Sequence, residues 1–261
     1  MIVRRLPARA GLTWLREALA LYRRQPFAYT SLVILYTMGM ALLSFVPFIG
    51  MPIALMLIPF GTVGLTLAAR EAEEGVMPMP TALIAPFRDP IQRKALTRLG
   101  FVNAGLMLLM LSLISLVAAD ELDKWQVLDG QIDPISASQN FPWDATLVAA
   151  LIYLPILMVT WLSPQLVAWH GQPVSKALFF SFFACWRNRW PFLVLGATLF
   201  ALTFGTVFIV TQTLQLFGVS QQLASMLFAP ILLILISIGY ATQYPIYRGL
   251  IEPSDSDILP A

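Results

Sequence analysis

Apolar residues gather along this chain in six long stretches, and the charged residues fall between them. The stretches run over about 27–46, 51–69, 99–119, 145–169, 191–211 and 223–247, and none contains Asp, Glu, Lys or Arg. A hydrocarbon layer about 30 Å thick is crossed by about 20 helical residues. Each stretch therefore predicts one membrane-spanning helix.

Shorter segments of helical periodicity precede the first, third and fifth stretches. Over 8–25, Leu12, Leu15, Leu19 and Tyr22 share one face, while Arg9, Arg16 and Arg23 recur every seven residues on another. That pattern predicts a basic amphipathic helix lying in the interface plane. The second segment, 80–98, is interrupted by Pro86 and Pro90 and carries Arg88, Arg93, Lys94 and Arg98. The third, 173–189, opens on Pro173, a favoured first helical position. It places Leu178, Phe179, Phe182, Phe183 and Trp186 between Lys176 and Arg187. The ten residues separating those two cations make about 15 Å of helix, too little to cross.

The connections differ in kind. Pro47-Phe48-Ile49-Gly50-Met51-Pro52 predicts a tight turn, and about ten uncharged residues (among them Gln212, Gln215, Gly218 and Ser220) join stretches five and six. The loop at 120–144 is longer. Asp129-Gly130, Asp133-Pro134 and Pro142 make it turn-rich, and Trp125 and Trp143 are placed to anchor it at the interface. Arg23-Arg24-Gln25-Pro26-Phe27 also matches Asn188-Arg189-Trp190-Pro191-Phe192, a basic helix stopping at a proline where a span begins. The expected organisation is all-α, a single integral membrane domain of three units at 1–79, 80–171 and 172–251, followed by a tail at 252–261. Each unit is an interfacial helix leading into a transmembrane hairpin.

Lys and Arg before, between and after the six stretches number 6, 0, 5, 1, 3, 0 and 1. Cytoplasmic connections carry the excess of these residues, so both termini are expected inside. Acidic residues concentrate in the opposite loop, at Asp120, Glu121, Asp123, Asp129, Asp133 and Asp144. Hydrophobic residues make up 58% and charged residues 11% of the 261, with a mean hydropathy of +0.76. A soluble domain needs more charge to cover its surface. Residues 1–26 carry six Arg and no uninterrupted apolar run, so span one is the expected uncleaved insertion signal. The one cysteine, Cys185, excludes an internal disulfide and a thiolate metal cluster, and its simplest role is a small buried apolar residue.

With one His and one Cys, the chain offers no His-rich metal site and no nucleophile pair. No glycine-rich phosphate loop is present. Charges inside spans mark proton relays and ion paths, and their absence argues against a pump, a proton-coupled transporter or an intramembrane protease. The chain is accordingly expected to be non-enzymatic and to need no cofactor. Polar residues do cluster near the basic ends of the spans: Asn103, Ser163, Gln165, His170 and Gln243. They suit a polar vestibule opened by prolines, or plain helix packing in which amides satisfy carbonyls freed by Pro. Packing is the simpler of the two. Arg16, Arg23, Arg24, Arg93, Lys94, Arg187 and Arg189 are candidate contacts for anionic lipid. Small residues at spacing four, Gly64 with Ala68 and Ala197 with Ala201 and Gly205, mark expected close helix contacts.

Ser163-Pro164, His170-Gly171-Gln172-Pro173, Ala177, Ser181, Cys185, Arg187-Asn188 and Pro191-Phe192 together resemble a family of six-span proteobacterial inner-membrane proteins. These are the YciC-like proteins, similar also to the membrane domain attached to some glycerophosphodiester phosphodiesterases. The segment from Trp14 through Pro26 resembles the same family's opening, whereas the loop at 120–144 looks peculiar to this chain. The resemblance implies an all-helical inner-membrane protein and transfers no catalytic residue. A membrane scaffold or accessory subunit is the expected role, with membrane lipids and a membrane protein as partners and no nucleic acid. The alternative is a carrier that admits an amphipathic substrate from the cytoplasmic leaflet, through a cavity lined by Gln165, Gln243 and Asn103.

Overall fold

The computed structural model describes residues 3–128, 131–218 and 221–251. The turn expected at Asp129-Gly130, the polar Ser220 and the tail at 252–261 lie outside them. In chain order the helices are α1 (Ala10–Arg24), α2 (Pro26–Ser44), α3 (Gly50–Glu73), α4 (Thr81–Arg88), α5 (Pro90–Val117) and α6 (Ala119–Leu122). A two-residue ladder, β1 (Val127–Leu128) with β2 (Gln131–Ile132), follows. Then come α7 (Pro134–Gln139), α8 (Trp143–Thr160), α9 (Ser163–His170), α10 (Val174–Arg187), α11 (Arg189–Leu216), α12 (Gln221–Ala241) and α13 (Gln243–Ile251). Among the described residues, six helical runs are long and apolar enough to cross a membrane: Pro26–Ser44, Gly50–Glu73, Pro90–Val117, Trp143–His170, Arg189–Leu214 and Phe228–Ile251. The fold is that of an all-α polytopic membrane protein.

Spans one, three and five are each separated from a shorter preceding helix by a single residue. The joints are Gln25 (φ −140°, ψ 54°), Asp89 (φ −84°, ψ 116°) and Asn188 (φ −109°, ψ 28°). Pro26 and Pro90 open the first two of these spans, where a missing N–H costs no hydrogen bond. At the second joint the Asp89 carboxylate accepts from the Ile91 N–H at 2.8 Å. The match between Arg23–Phe27 and Asn188–Phe192 thus has a structural counterpart, displaced by two residues because Asn188, rather than Trp190, is the break. Segment 80–98 differs from its expected form. It is α4 followed by the opening turns of α5, since Pro90 starts a helix that runs unbroken through Arg93, Lys94 and Arg98 into span three.

The first hairpin turns through Phe45–Ile49, with Phe48 in the left-handed region at φ 65°. A Cβ on Gly50 would lie 2.1 Å from the Leu43 carbonyl oxygen, so only glycine lets α3 start so close to the end of α2. At the same end of the molecule, the 120–144 loop is more ordered than its turn signals suggest. Asp133 caps α7 by accepting from the N–H groups of Ser136 (2.9 Å) and Ile135 (3.3 Å), and Trp125 Nε1 donates to the Asn140 carbonyl at 3.0 Å. The backbone N–H groups of Ser136 and Ile135, bonded to the ionised form, hold the Asp133 carboxyl below its usual range.

Burial is concentrated at the other end, where α1, α4 and α10 meet the spans. Tyr29, Leu32 and Val33 of α2, Leu65 of α3, Leu96 of α5, Leu166 of α9 and Ile246 of α13 are almost wholly enclosed. Helix α1 belongs to this core. Its Trp14, Leu15, Ala18 and Leu21 are covered by α3, α11 and α12–α13, whereas an apolar face turned to lipid had been the expectation. Gly11 makes that approach possible, because a Cβ there would sit 2.2 Å from the Pro191 carbonyl oxygen. Helix α10 does the opposite. Its small residues Ala177, Ser181, Ala184 and Cys185 face α8 and α9, and Phe179, Phe183 and Trp186 stay exposed.

Of the two small-residue rows, Gly64 and Ala68 are covered within the chain. A Cβ on Gly64 would be 2.8 Å from Leu83 Cα of α4. The α11 row is not covered: Ala197 and Ala201 are exposed and a Cβ on Gly205 would meet nothing within 4 Å.

Candidate functional site

Prolines inside or beside the second helix of each hairpin leave backbone groups without their helical partners. The chain answers each differently. Pro59 frees the carbonyl of Leu55, four residues earlier, and Asn103 of α5 donates to it from Nδ2 at 2.8 Å. Near Pro164 the helix breaks between α8 and α9, and the Ser181 hydroxyl is spliced into the gap. It accepts from the Leu162 N–H (3.0 Å) and donates to the Met158 carbonyl (2.7 Å), the two groups an intact helix would have joined directly. Before Pro245, α12 stops at Ala241, and the Thr242 N–H and hydroxyl both turn back to the Gly239 carbonyl.

A cavity of about 630 Å³ lies among these three weak points. Every span contributes to it: Tyr36 and Thr37 of α2, Pro59 and Thr62 of α3, Asn103 of α5, Tyr153 and Thr160 with Trp161 and Pro164 from the α8–α9 run, Leu199 of α11, and Gly239, Tyr240 and Gln243 from the α12–α13 run. Its polar lining is hydroxyl, amide and indole, with no Asp, Glu, Lys or Arg. Three enclosed side-chain polar atoms among the described residues have no hydrogen-bond partner, Trp161 Nε1, Gln165 Oε1 and Gln243 Oε1. Two of them belong to side chains that line the cavity. One to two turns towards the α1 end, the layer of Tyr29, Leu65, Leu166 and Ile246 is closed. In the other direction packing loosens, and no residue of α2 beyond Val33 is buried.

The polar residues picked out along the sequence therefore divide. Asn103 and Gln243 line the cavity. Gln165 does not: it is fully enclosed, donating from Nε2 to Thr66 Oγ1 at 3.1 Å. Ser163 bonds back across the α8–α9 break to the Val159 carbonyl. His170 stands exposed at the end of α9, its Nε2 2.6 Å from the Tyr247 hydroxyl. Of the five, two share the cavity lining, together with Trp161, Tyr36 and Tyr240. Aromatic residues in an apolar run carry no sequence signal that sets them apart from lipid-facing ones. Ser181 had at least a trace, as a lone hydroxyl on the small-residue face of α10.

No cluster of His, Cys, Asp or Glu suited to a metal ion occurs among the described residues. Cys185 is buried, and loss of hydration pushes its thiol up to about 12. It is the inert core residue that its setting predicts.

At the α1 end, Arg16, Arg23, Arg93, Lys94, Arg187 and Arg189 are exposed, and Arg24, also exposed, reaches the Glu73 carbonyl. Arg189 lies 5.8 Å from the ring centres of both Trp186 and Trp190. Arg248 ties three elements together, pairing with Glu73 of α3 at 2.6 Å and with Glu17 of α1 at 2.9 Å. The stretch before α1 is fastened by Asn188. Its Oδ1 accepts from the Leu6 N–H (2.8 Å) and its Nδ2 donates to the Arg4 carbonyl (2.9 Å).

Six apolar runs around an enclosed core, with basic groups gathered at one end, define a multi-pass helical membrane protein. Comparison with known proteins narrows this. The chain is 35% identical over 250 residues to the probable inner membrane protein BTH_II0599 of Burkholderia thailandensis, an alignment covering 93% of this chain and 91% of the relative. It belongs to that protein's family, and it is a multi-pass protein of the inner membrane. No family model matches the chain, and neither does any solved structure.

Proposed function

We propose that this is a non-enzymatic inner-membrane protein that accommodates an uncharged amphipathic molecule in the cavity between its six spans. The cavity carries the proposal. Its volume, about 630 Å³, falls in the usual range for small-molecule sites, about 300–1,000 Å³. A lining of neutral donors and acceptors suits a hydroxyl, carbonyl or amide head, since a charge buried there would have no partner. An apolar tail would leave between hairpins, where the helices are loosely packed.

The basic end faces the cytoplasm in this proposal, with both termini inside, because the Lys and Arg excess lies there. The closed layer then separates the cavity from the cytoplasm. Entry would be from the outer half of the bilayer, in place of the cytoplasmic leaflet expected from the positions of the polar residues. We also extend the family to the YciC-like proteins and the phosphodiesterase-linked membrane domain. Supporting this, the residues that carry the resemblance include Pro164 beside the α8–α9 break, Ser181 that bridges it and Asn188 at the α10–α11 joint.

The direct test is native mass spectrometry and lipid extraction on protein purified from membranes. Gly239 lines the cavity, and a Cβ there would meet nothing within 4 Å, so Gly239→Leu adds a side chain at a position open to it. Wild type should retain an uncharged amphipathic molecule that Gly239→Leu has lost, with the fold intact. Wild type that is repeatedly empty would refute the proposal. A scaffold or accessory-subunit role would then take its place, favoured by the uncovered face of α11, where Phe200, Phe204 and Phe208 are exposed beside Ala197 and Ala201. That second reading expects a stable membrane-protein partner, and repeated purification as a lone monomer would count against it.

A further inference from the structure

Asn188 is completely enclosed, and its side chain makes three hydrogen bonds: to the Leu6 N–H, the Arg4 carbonyl and the Ala184 carbonyl. Burying an amide is costly unless its donors and acceptor are matched. Here the matched partners fix one thing, the course of residues 4–6 across the α10–α11 joint. The Arg4 N–H adds a bond to the Leu250 carbonyl. Arg5 lies between the two residues so held.

The result is a pocket of about 380 Å³ lined by Arg5, Leu6, Pro7, Arg187 and Trp190. Two arginines from far apart in the chain, Arg5 and Arg187, share its lining. Both are exposed, and neither has an acidic partner among the described residues. Glu17 and Glu73 pair with Arg248, and Glu74 pairs with Arg70. Trp186 and Trp190, both exposed and both beside Arg189, fit the depth at which indole rings favour the boundary between headgroups and hydrocarbon.

We infer that the Arg5–Arg187 pocket is a binding site for a phosphate ester at the headgroup level of the membrane. Guanidinium forks match phosphate oxygens in both charge and geometry, and the apolar wall of Leu6, Pro7 and Trp190 sits where the glycerol of a lipid would begin. The site is separate from the cavity and does not depend on what the cavity holds.

The test uses full-length protein in detergent, titrated with phosphatidylglycerol and read by native mass spectrometry. R5Q/R187Q should weaken the first lipid bound by about thirtyfold, the effect of two interfacial cations. R88Q/R98Q removes the same charge elsewhere on the basic end, at two exposed arginines, and should weaken it by about threefold or less. R5K/R187K keeps the charge and should recover part of the loss. Unchanged melting of the lipid-free variants would show that the fold is intact. A parallel titration of lipid-free protein with inorganic phosphate separates the sources. Phosphatidylglycerol retention alone, lost in R5Q/R187Q, assigns a lipid headgroup; phosphate binding with the same sensitivity assigns a soluble phosphate. Equal losses in the two glutamine doubles, or no loss in R5Q/R187Q, would overturn the site.

Discussion

Asn103 donates its side-chain amide to the carbonyl of Leu55 at 2.8 Å, the acceptor that Pro59 leaves without a helical N–H. Replacing Asn103 by Leu strands that carbonyl in an apolar setting, at about 1–3 kcal/mol. Pro59→Ala returns an N–H to the helix and should rescue the loss. In a double-mutant cycle followed by thermal unfolding in detergent, P59A/N103L should be more stable than N103L. Strict additivity would mean that the amide does not serve the carbonyl.

Ser181 and Ser237 are both buried serines on helices, yet their hydroxyls differ in purpose. Ser181 bridges the break between Met158 and Leu162, whereas Ser237 bonds the Leu233 carbonyl of its own helix. Ser181→Ala should cost about 1–3 kcal/mol by leaving a backbone N–H and carbonyl apart. Ser237→Ala should change unfolding little, because that carbonyl is already in a helical ladder. Equal costs would remove the special role of Ser181.

Helix α1 is held by apolar burial more than by charge. The Arg248 pairs with Glu17 and Glu73 have side chains 31–39% exposed, and such pairs are worth about 1 kcal/mol or less. Trp14 is 2% exposed, and truncating a buried aromatic costs about 3–5 kcal/mol. Trp14→Ala should therefore lower the melting temperature well beyond Arg248→Gln. The opposite order would make the ion pairs the main fastening.

Cys185 should resist labelling. Its thiol is buried and stays protonated until pH about 12, so an alkylating reagent at pH 8 finds almost no thiolate. The sign for stability is adverse at high pH. The folded thiol titrates above the unfolded one, so the folded state loses stability as pH climbs from about 9 towards 12. The native cysteine is thus a silent background for mapping the membrane. Gly130→Cys should react with an impermeant maleimide from outside intact cells, and reaction only after lysis would reverse the proposed orientation.

Asp133 has a depressed carboxyl pKa in the folded loop. Its contribution is therefore present above the ordinary carboxylate range and disappears as pH falls through the lower, folded value. The 120–144 loop should become more susceptible to an acid-active protease below that range in wild type. Asp133→Asn, which does not titrate, should show a flat dependence.

How far the sequence carried follows from where each force acts. Spans are dictated by lipid, so uninterrupted apolar runs located all six, and Pro26 marked the start of α2. Span three begins earlier than its apolar run because Pro90 opens a helix that Arg93, Lys94 and Arg98 do not stop. Charges near a helix end can snorkel, and a composition rule misses that. The burial of α1 was hidden for a different reason. Trp14 and Leu15 look the same whether protein or lipid covers them, and the deciding contact is with residues almost the whole chain away. Asn103 was legible as polar, but its pairing with Pro59 depends on how α5 crosses α3. Gln165 and His170 shared its pattern and went to unrelated partners.

The closed layer of Tyr29, Leu65, Leu166 and Ile246 also makes the molecule unequal in how it meets lipid. On the α1 side of that layer, shape is set by protein contacts and is indifferent to acyl-chain length. Beyond it the hairpins touch mainly lipid, and their second helices are weakened at Pro59, Pro164 and Pro245. Helices adjust to a thicker or thinner bilayer chiefly by tilting, and here the tilt would be taken up at those three points, close to the cavity. A change in bilayer thickness would then be expected to reshape the cavity before it disturbs the core beneath it.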